Sequence, residues 1–257
     1  MRVEVVTAVH ADYARYLPSA WRSLRAQTHP DWHWLVQVDG DAAAVRATLI
    51  ECGAADDPRT RLAFNGTREG PAITRNVALG RATAALIQNL DADDELEPTA
   101  LAVLSAALHR HPSAGFAVGP AGDLLNSGEL VDVPLPFEPG LLPRGALFDA
   151  WITDPEHRLP VHPAGVMWHR DLLLATGGWA AMRGMEDTSL LMSASALSPC
   201  AIVDTRTLRY RRHRNQRSTQ KSLFTGGGDQ ISLIRQRVAT LRAGPGWLGL
   251  LPTGEQH

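Results

Sequence analysis

The sequence predicts an α/β fold built on a mostly parallel sheet flanked by helices, with a smaller antiparallel element beside it. Three observations lead there. Over the first 91 residues, short β-rich runs alternate with helical periodicity in the order β-α-β-α-β-α-β, and residues 98 to 118 continue the alternation. That alternation implies parallel strands joined by right-handed crossovers. Three of the strand-like runs end at Thr7 to His10, at Asp39 and at Asp91 to Asp94, the last two acidic. In a parallel sheet these ends share one rim, where ligands bind. Third, the run from Gly119 to Pro143 breaks the alternation, as a separate antiparallel element would.

Each element has a local reason. Val3 to Val9 is β-rich and suits a central strand. His10 to Arg15 is a polar loop, and Tyr16-Leu17-Pro18 opens a helix with proline in its first turn. Leu17, Ala20, Trp21 and Leu24 fall at i, i+3, i+4 and i+7, one apolar face for packing on a sheet. Thr28-His29-Pro30 stops that helix. Trp34 to Val38 is the second strand, followed by Asp39-Gly40-Asp41 and a helix from Ala42 to about Glu51. Arg61 to Phe64 is a third strand, Gly66 to Pro71 a loop, and Ala72 to Ala82 a helix that carries Arg75-Asn76. A fourth strand ends at Asp91. A helix over Ala100 to Arg110 and a strand over Gly115 to Val118 continue the pattern. Leu130 to Pro136, with its prolines, suits an edge strand. Gly145 to Trp151 is a short helix, Val161 to Trp168 a strand, Leu172 to Ala175 a helical turn and Thr188 to Ala196 a helix. Gly226 to Gly228 is a loop, Ile231 to Leu241 a helix, and the Gly- and Pro-rich segment from Gly244 a tail.

Composition narrows the class. The 257 residues are 44% hydrophobic and 20% charged, ordinary for a globular chain with a sizeable core. A net charge of -2 does not call for nucleic acid. Cys52 and Cys200 have no metal-binding spacing and suit free thiols in a reducing compartment. No stretch has the form of a signal peptide or a membrane span, so we expect a cytoplasmic protein without a transmembrane segment.

Three clusters can carry chemistry. In Leu90-Asp91-Ala92-Asp93-Asp94, three carboxylates lie within four residues at a strand end. They suit Mg2+ or Mn2+, which take hard oxygen ligands and complete their shell with water and phosphate. The cluster equally suits an acid-rich helix start, with Asp94 or Glu95 capping a helix near Glu97-Pro98. Glu186-Asp187 opens a helix after Gly177-Gly178-Trp179, where two acids also simply complement the helix dipole. Thr205 to Ser218 holds six arginines and His213, with Tyr210 as the sole aromatic. That is poor interleaving for a nucleic-acid strand. Dinucleotide-binding Gly-x-Gly-x-x-Gly and P-loop motifs are missing.

Taken together, four segments resemble the glycosyltransferases of family 2, which have the GT-A fold, a Rossmann-like sheet. They are Val5 to His10 with Tyr16 to Thr28, Val36 to Asp41, Gly70 to Asn76 and Leu90 to Asp94. Residues 160 to 218 match more loosely. Ala8 to Ala11 and Val38 to Asp41 depart from the family's usual pattern at the base-binding end and leave the nucleotide open. The resemblance implies a metal-dependent, inverting transfer of one sugar from a nucleotide sugar, UDP-sugar foremost, to a hydroxyl acceptor. Thr7, Ala8, Val9, Asp39, Arg75, Asp91, Ala92, Arg212 and Ser218 would then bind the nucleotide, with Arg75 against the base or the neighbouring acid. Asp93 and His213 would hold Mn2+ or Mg2+. Asp187 would be the general base, with Glu186 orienting it or touching the acceptor. Gly178 and Trp179 would line the acceptor site, where the indole can stack on a sugar or pack in the core. The Gln-x-x-Arg-Trp signature of processive synthases is absent.

Residues 1–243 would form one domain, with 1–118 as its nucleotide-sugar half and 119–220 as its acceptor and catalytic half, followed by the 244–257 tail. Two rivals stand beside this reading. One is a nucleotide-sugar-binding protein without catalysis. The other is a nucleic-acid-binding protein using Arg206 to Arg217.

Overall fold

The computed structural model describes residues 1–214, 216 and 227–244. Its larger sheet begins with β1 (Val3–Val9), β2 (Trp32–Val38), β3 (Thr60–Phe64) and β4 (Leu86–Asn89). It is completed by β6 (Phe116–Val118), β9 (Gly140–Leu142), β10 (Met167–His169) and β11 (Cys200–Ile202). The strand order is β3-β2-β1-β4-β10-β6-β11-β9. β1 to β4 are mutually parallel, β10 runs antiparallel between β4 and β6, and β9 is antiparallel to β11. A second sheet has the order β5-β12-β7-β8, from β5 (Glu95–Leu96), β7 (Ala121–Leu124), β8 (Leu130–Val133) and β12 (Leu208–Arg211). It is mixed rather than purely antiparallel, because β12 runs parallel to β7.

Helices cover both faces of the larger sheet. α1 (Leu17–Arg25), α2 (Ala43–Glu51) and α4 (Ala100–Arg110) pack into one core. α3 (Pro71–Arg81), α5 (Ala146–Thr153), α6 (Arg170–Ala175), α7 (Glu186–Leu197) and α8 (Gly227–Ala243) pack into the other. The period-2 geometry of a strand divides β1 between them: Val3, Val5 and Val9 face the first core and Val6 the second. The predicted α1 face of Leu17, Ala20, Trp21 and Leu24 is buried. Trp21 stacks on Trp34 with ring centroids 5.8 Å apart. Each of the fully buried leucines, Leu17 and Leu24, contributes about 1.5–3 kcal/mol.

Several elements differ from the sequence expectation. His10 to Arg15 is not a loop but part of a 3-10 helix, Ala11–Tyr16, capped by the His10 side chain, which accepts the Asp12 N–H. The strand expected over Val161 to Trp168 is only Met167–His169, since Pro163 has no N–H to give a ladder and starts a 3-10 turn. Neither Asp94 nor Glu95 caps a helix. α4 begins at Ala100, and Glu95 lies in β5. α8 begins at Gly227, where a loop was expected. β8 is an edge strand, as its composition suggests. Ser218, Gly226 and the tail from residue 245 lie outside the described residues. Among the described residues, no helix is long and apolar enough to cross a membrane.

Candidate active site

The rim formed by the carboxyl ends of β1, β2 and β4 gathers most of the expected residues. Thr7 is fully buried, and its hydroxyl donates to the Leu90 carbonyl at 2.8 Å while accepting the Trp34 indole N–H at 2.9 Å. It therefore ties β1 to the end of β4 and to β2. Ala8 is half-buried, whereas the Val9 and Ala92 side chains belong to the core. Asp39 is 6% exposed, and its carboxylate accepts the backbone N–H groups of Glu69 at 2.6 Å and Gly70 at 3.1 Å. It orders the loop that leads into α3.

α3 brings Arg75 to the centre of the site. Its Nη2 donates to Asp91 Oδ1 at 2.6 Å and its Nη1 to Asp187 Oδ1 at 3.4 Å. Arg75, expected against the base or the neighbouring acid, lies against acids on both sides, between the Asp-x-Asp loop and the opening of α7. Burial works against its charge, but Asp187, Asp91 and Glu186 outweigh that and raise its pKa above the usual value.

Asp187 opens α7 with a quarter of its side chain exposed. Burial pushes its pKa up to about 6. Asp91 and Glu186 push the same way, while Arg75 and the Trp179 indole oppose them. The indole N–H donates to Asp187 Oδ1 at 2.9 Å. Trp179 is only 2% exposed and packs in the second core. Of the two roles the sequence offers for this indole, stacking on a sugar or packing in the core, the structure has it packed in the core. Glu186 is buried beside it at 4% exposure and lines a cavity together with Glu69, Gly70 and Met182.

Asp93 meets His213, whose Nε2 lies 2.8 Å from Asp93 Oδ2. Burial and the neighbouring Asp91 raise the Asp93 pKa, with His213 opposing. The His213 ring stacks on Tyr16 at 4.9 Å and meets the edge of Tyr13 at 6.0 Å. A carboxylate and an imidazole side by side suit a small divalent cation. Among the described residues no group of three or more His, Cys, Asp or Glu side chains is arranged to hold a metal. A cation here would take its remaining ligands from substrate or water. Asp94 is fully buried and accepts the Arg211 N–H at 2.9 Å, tying the acidic loop to β12.

The arginines of β12 and its approach have partners within the chain. Arg206 and Arg209 pair with Glu97 at 2.6 and 2.8 Å, and Arg211 pairs with Glu95. Arg212 stays half exposed, 3.7 Å from Asp123. Sequence reasoning missed Asn76, whose amide pairs with the backbone N–H and C=O of Trp179. It also missed Tyr16, and His162, whose ring lies 4.1 Å from Tyr210. The Arg75-Asn76 pair in the α3 segment was the one available signal.

The sequence profile of glycosyl transferase family 2 matches residues 4–171. Over 130 residues the chain is 27% identical to the uncharacterized protein y4gI of Sinorhizobium fredii, covering 51% of this chain and 14% of that one. Over 110 residues it is 26% identical to the O-antigen biosynthesis protein RfbC of Myxococcus xanthus, covering 43% and 9%. The chain thus spans a small fraction of these relatives. Its fold is similar to that of S. aureus TarS 1–349 in complex with UDP-GlcNAc, with a TM-score of 0.71 and 15% identity over 92% of this chain and 66% of that one. It is also similar to the mannosyltransferase PcManGT from Pyrobaculum calidifontis in complex with GDP-Man and Mn2+, with a TM-score of 0.60 and 15% identity over 93% and 69%. At such identities the likeness is one of fold, a GT-A sheet flanked by helices.

Proposed function

The chain belongs to glycosyl transferase family 2, and we propose that it moves one sugar, with inversion, from a UDP-sugar to a hydroxyl acceptor. The observation that carries this reading is the Arg75 bridge between Asp91 and Asp187. It joins an acid of the donor loop to a carboxylate suited to proton abstraction. Inversion needs a base on the face of the anomeric carbon opposite the departing diphosphate, within reach of the acceptor hydroxyl. Asp187 Oδ1 is held by Trp179 and Arg75, while no hydrogen bond engages Oδ2 among the described residues. Oδ2 is then the oxygen that takes the acceptor proton. A carboxyl with a pKa of about 6 is ionised at neutral pH and remains basic enough to accept that proton.

On the donor side, Asp91 would meet the ribose and the exposed Arg212 the diphosphate. Asp39 would shape the base end through the loop it orders. Asp93 and His213 would hold Mn2+ or Mg2+, which when bound supplies Lewis-acid stabilisation of the leaving diphosphate. UDP is taken as the nucleotide from the family resemblance; of the two proteins of similar fold, TarS was solved with UDP and UDP-GlcNAc and PcManGT with GDP-Man. Residues 1–118 would form the donor half and 119–220 the acceptor half of one domain ending near 243. The free thiols of Cys52 and Cys200 suit a cytoplasmic location. Replacing Asp187→Asn tests the assignment of the base. Transfer should fall by about 10²- to 10⁴-fold while UDP affinity is kept. Loss of UDP binding instead would undo the assignment.

A further inference from the structure

We propose that Trp179 is a positioning residue for Asp187, held in place by Asn76, and takes no part in stacking on the acceptor. The inference rests on Asp187 being the base. Asn76 grips the Gly177-Gly178-Trp179 turn from both sides. Its Nδ2 donates to the Trp179 carbonyl and its Oδ1 accepts the Trp179 N–H, each at 2.9 Å. The turn can be gripped this closely because position 178 is glycine. A Cβ there would lie 2.2 Å from Asn76 Oδ1, and the backbone holds φ at +68°. From that clamp the indole reaches down to Asp187 Oδ1.

The other contact to that oxygen is weaker. Arg75 approaches Asp187 at 3.4 Å but Asp91 at 2.6 Å, so the guanidinium is anchored on the donor side. Without the indole, the carboxylate would be free to turn toward Arg75 and withdraw Oδ2 from the acceptor. Consecutive residues of α3 thus act on the base in different ways. Arg75 supplies charge beside it, and Asn76, through Trp179, supplies its orientation. The charged groups facing Asp187 are Arg75 from α3, Asp91 after β4 and Glu186 on α7. A donated N–H adds a neutral hydrogen bond to the ionised form.

The test is a pH titration of aspartate carboxyl 13C signals in the full chain, with Asp187→Asn identifying the Asp187 signal by its loss. Trp179→Phe keeps the ring and removes the donor. Asn76→Ala releases the turn and guards against misfolding of the first variant. The Asp187 midpoint should rise by about one pH unit in Trp179→Phe and rise in Asn76→Ala as well. A wild-type midpoint in both variants overturns the inference. Turnover of UDP-GlcNAc by Asp187→Asn reads the other claim separately. Wild-type turnover there removes the base assignment, whereas lost turnover with unmoved midpoints removes only the role of Trp179.

Discussion

A carboxyl that must abstract a proton needs to be ionised and also reluctant to be so. Asp187 meets this by burial, with Arg75 keeping the shift moderate. Transfer should therefore lose activity on acidification with a midpoint near pH 6, because only the ionised base works. A pH-rate profile that stays flat down to about pH 4 would show an ordinary carboxylate and contradict that environment. Removing the cation by Arg75→Ala should move the midpoint upward, since Asp91 and Glu186 then face Asp187 unopposed. Sequence pointed to Glu186-Asp187 through the family resemblance, since two acids at a helix start by themselves only complement its dipole. It leaves Trp179 between two roles because an indole looks the same whether it stacks on a sugar or lies in a core. It passed over Asn76 because a polar side chain in a helix carries no mark of what it grips 103 residues away.

Among the elements, the long periodic ones were readable, as were the short β-rich runs of β4, β6 and β8, while the other short strands were not. β1, α1, α3 and α4 carry seven to eleven residues, enough for a pattern to show. β5, β7, β9 and β11 have two to four residues, too few for any period, and form because neighbouring strands offer a ladder. β5 and β12 are also joined by Glu95, Glu97, Arg209 and Arg211, so the acidic loop is braced by the strand that leads to His213. The crossing between sheets at Gly119, after β6, is tight. A Cβ there would lie 2.7 Å from the Thr205 carbonyl oxygen and 2.8 Å from Val203 Cγ2. Gly119→Ala should cost about 1–3 kcal/mol of stability, read as a lower denaturant midpoint at unchanged slope. A wild-type midpoint would mean that the two sheets shift apart freely at this point.

At the scale of the molecule, the site also bears on stability. A carboxyl whose folded pKa lies above its unfolded value costs nothing below about pH 4. Its cost is complete once the pH passes the folded pKa of about 6. Asp187→Asn should therefore melt at the same temperature as the wild type at about pH 4 and higher at about pH 8. A lower melting temperature at the alkaline end would mean that the ionised Asp187 stabilises the fold through Arg75. The rim at the ends of β1, β2 and β4 is proposed above all as a nucleotide-sugar site. Calorimetric titration of UDP, with and without Mn2+, for the wild type and Asp93→Ala, addresses that most directly. UDP should bind the wild type more tightly with Mn2+, and the metal's effect should vanish in Asp93→Ala. No binding of UDP, or of GDP and dTDP in parallel titrations, by the folded protein would contradict a nucleotide-sugar site on this rim.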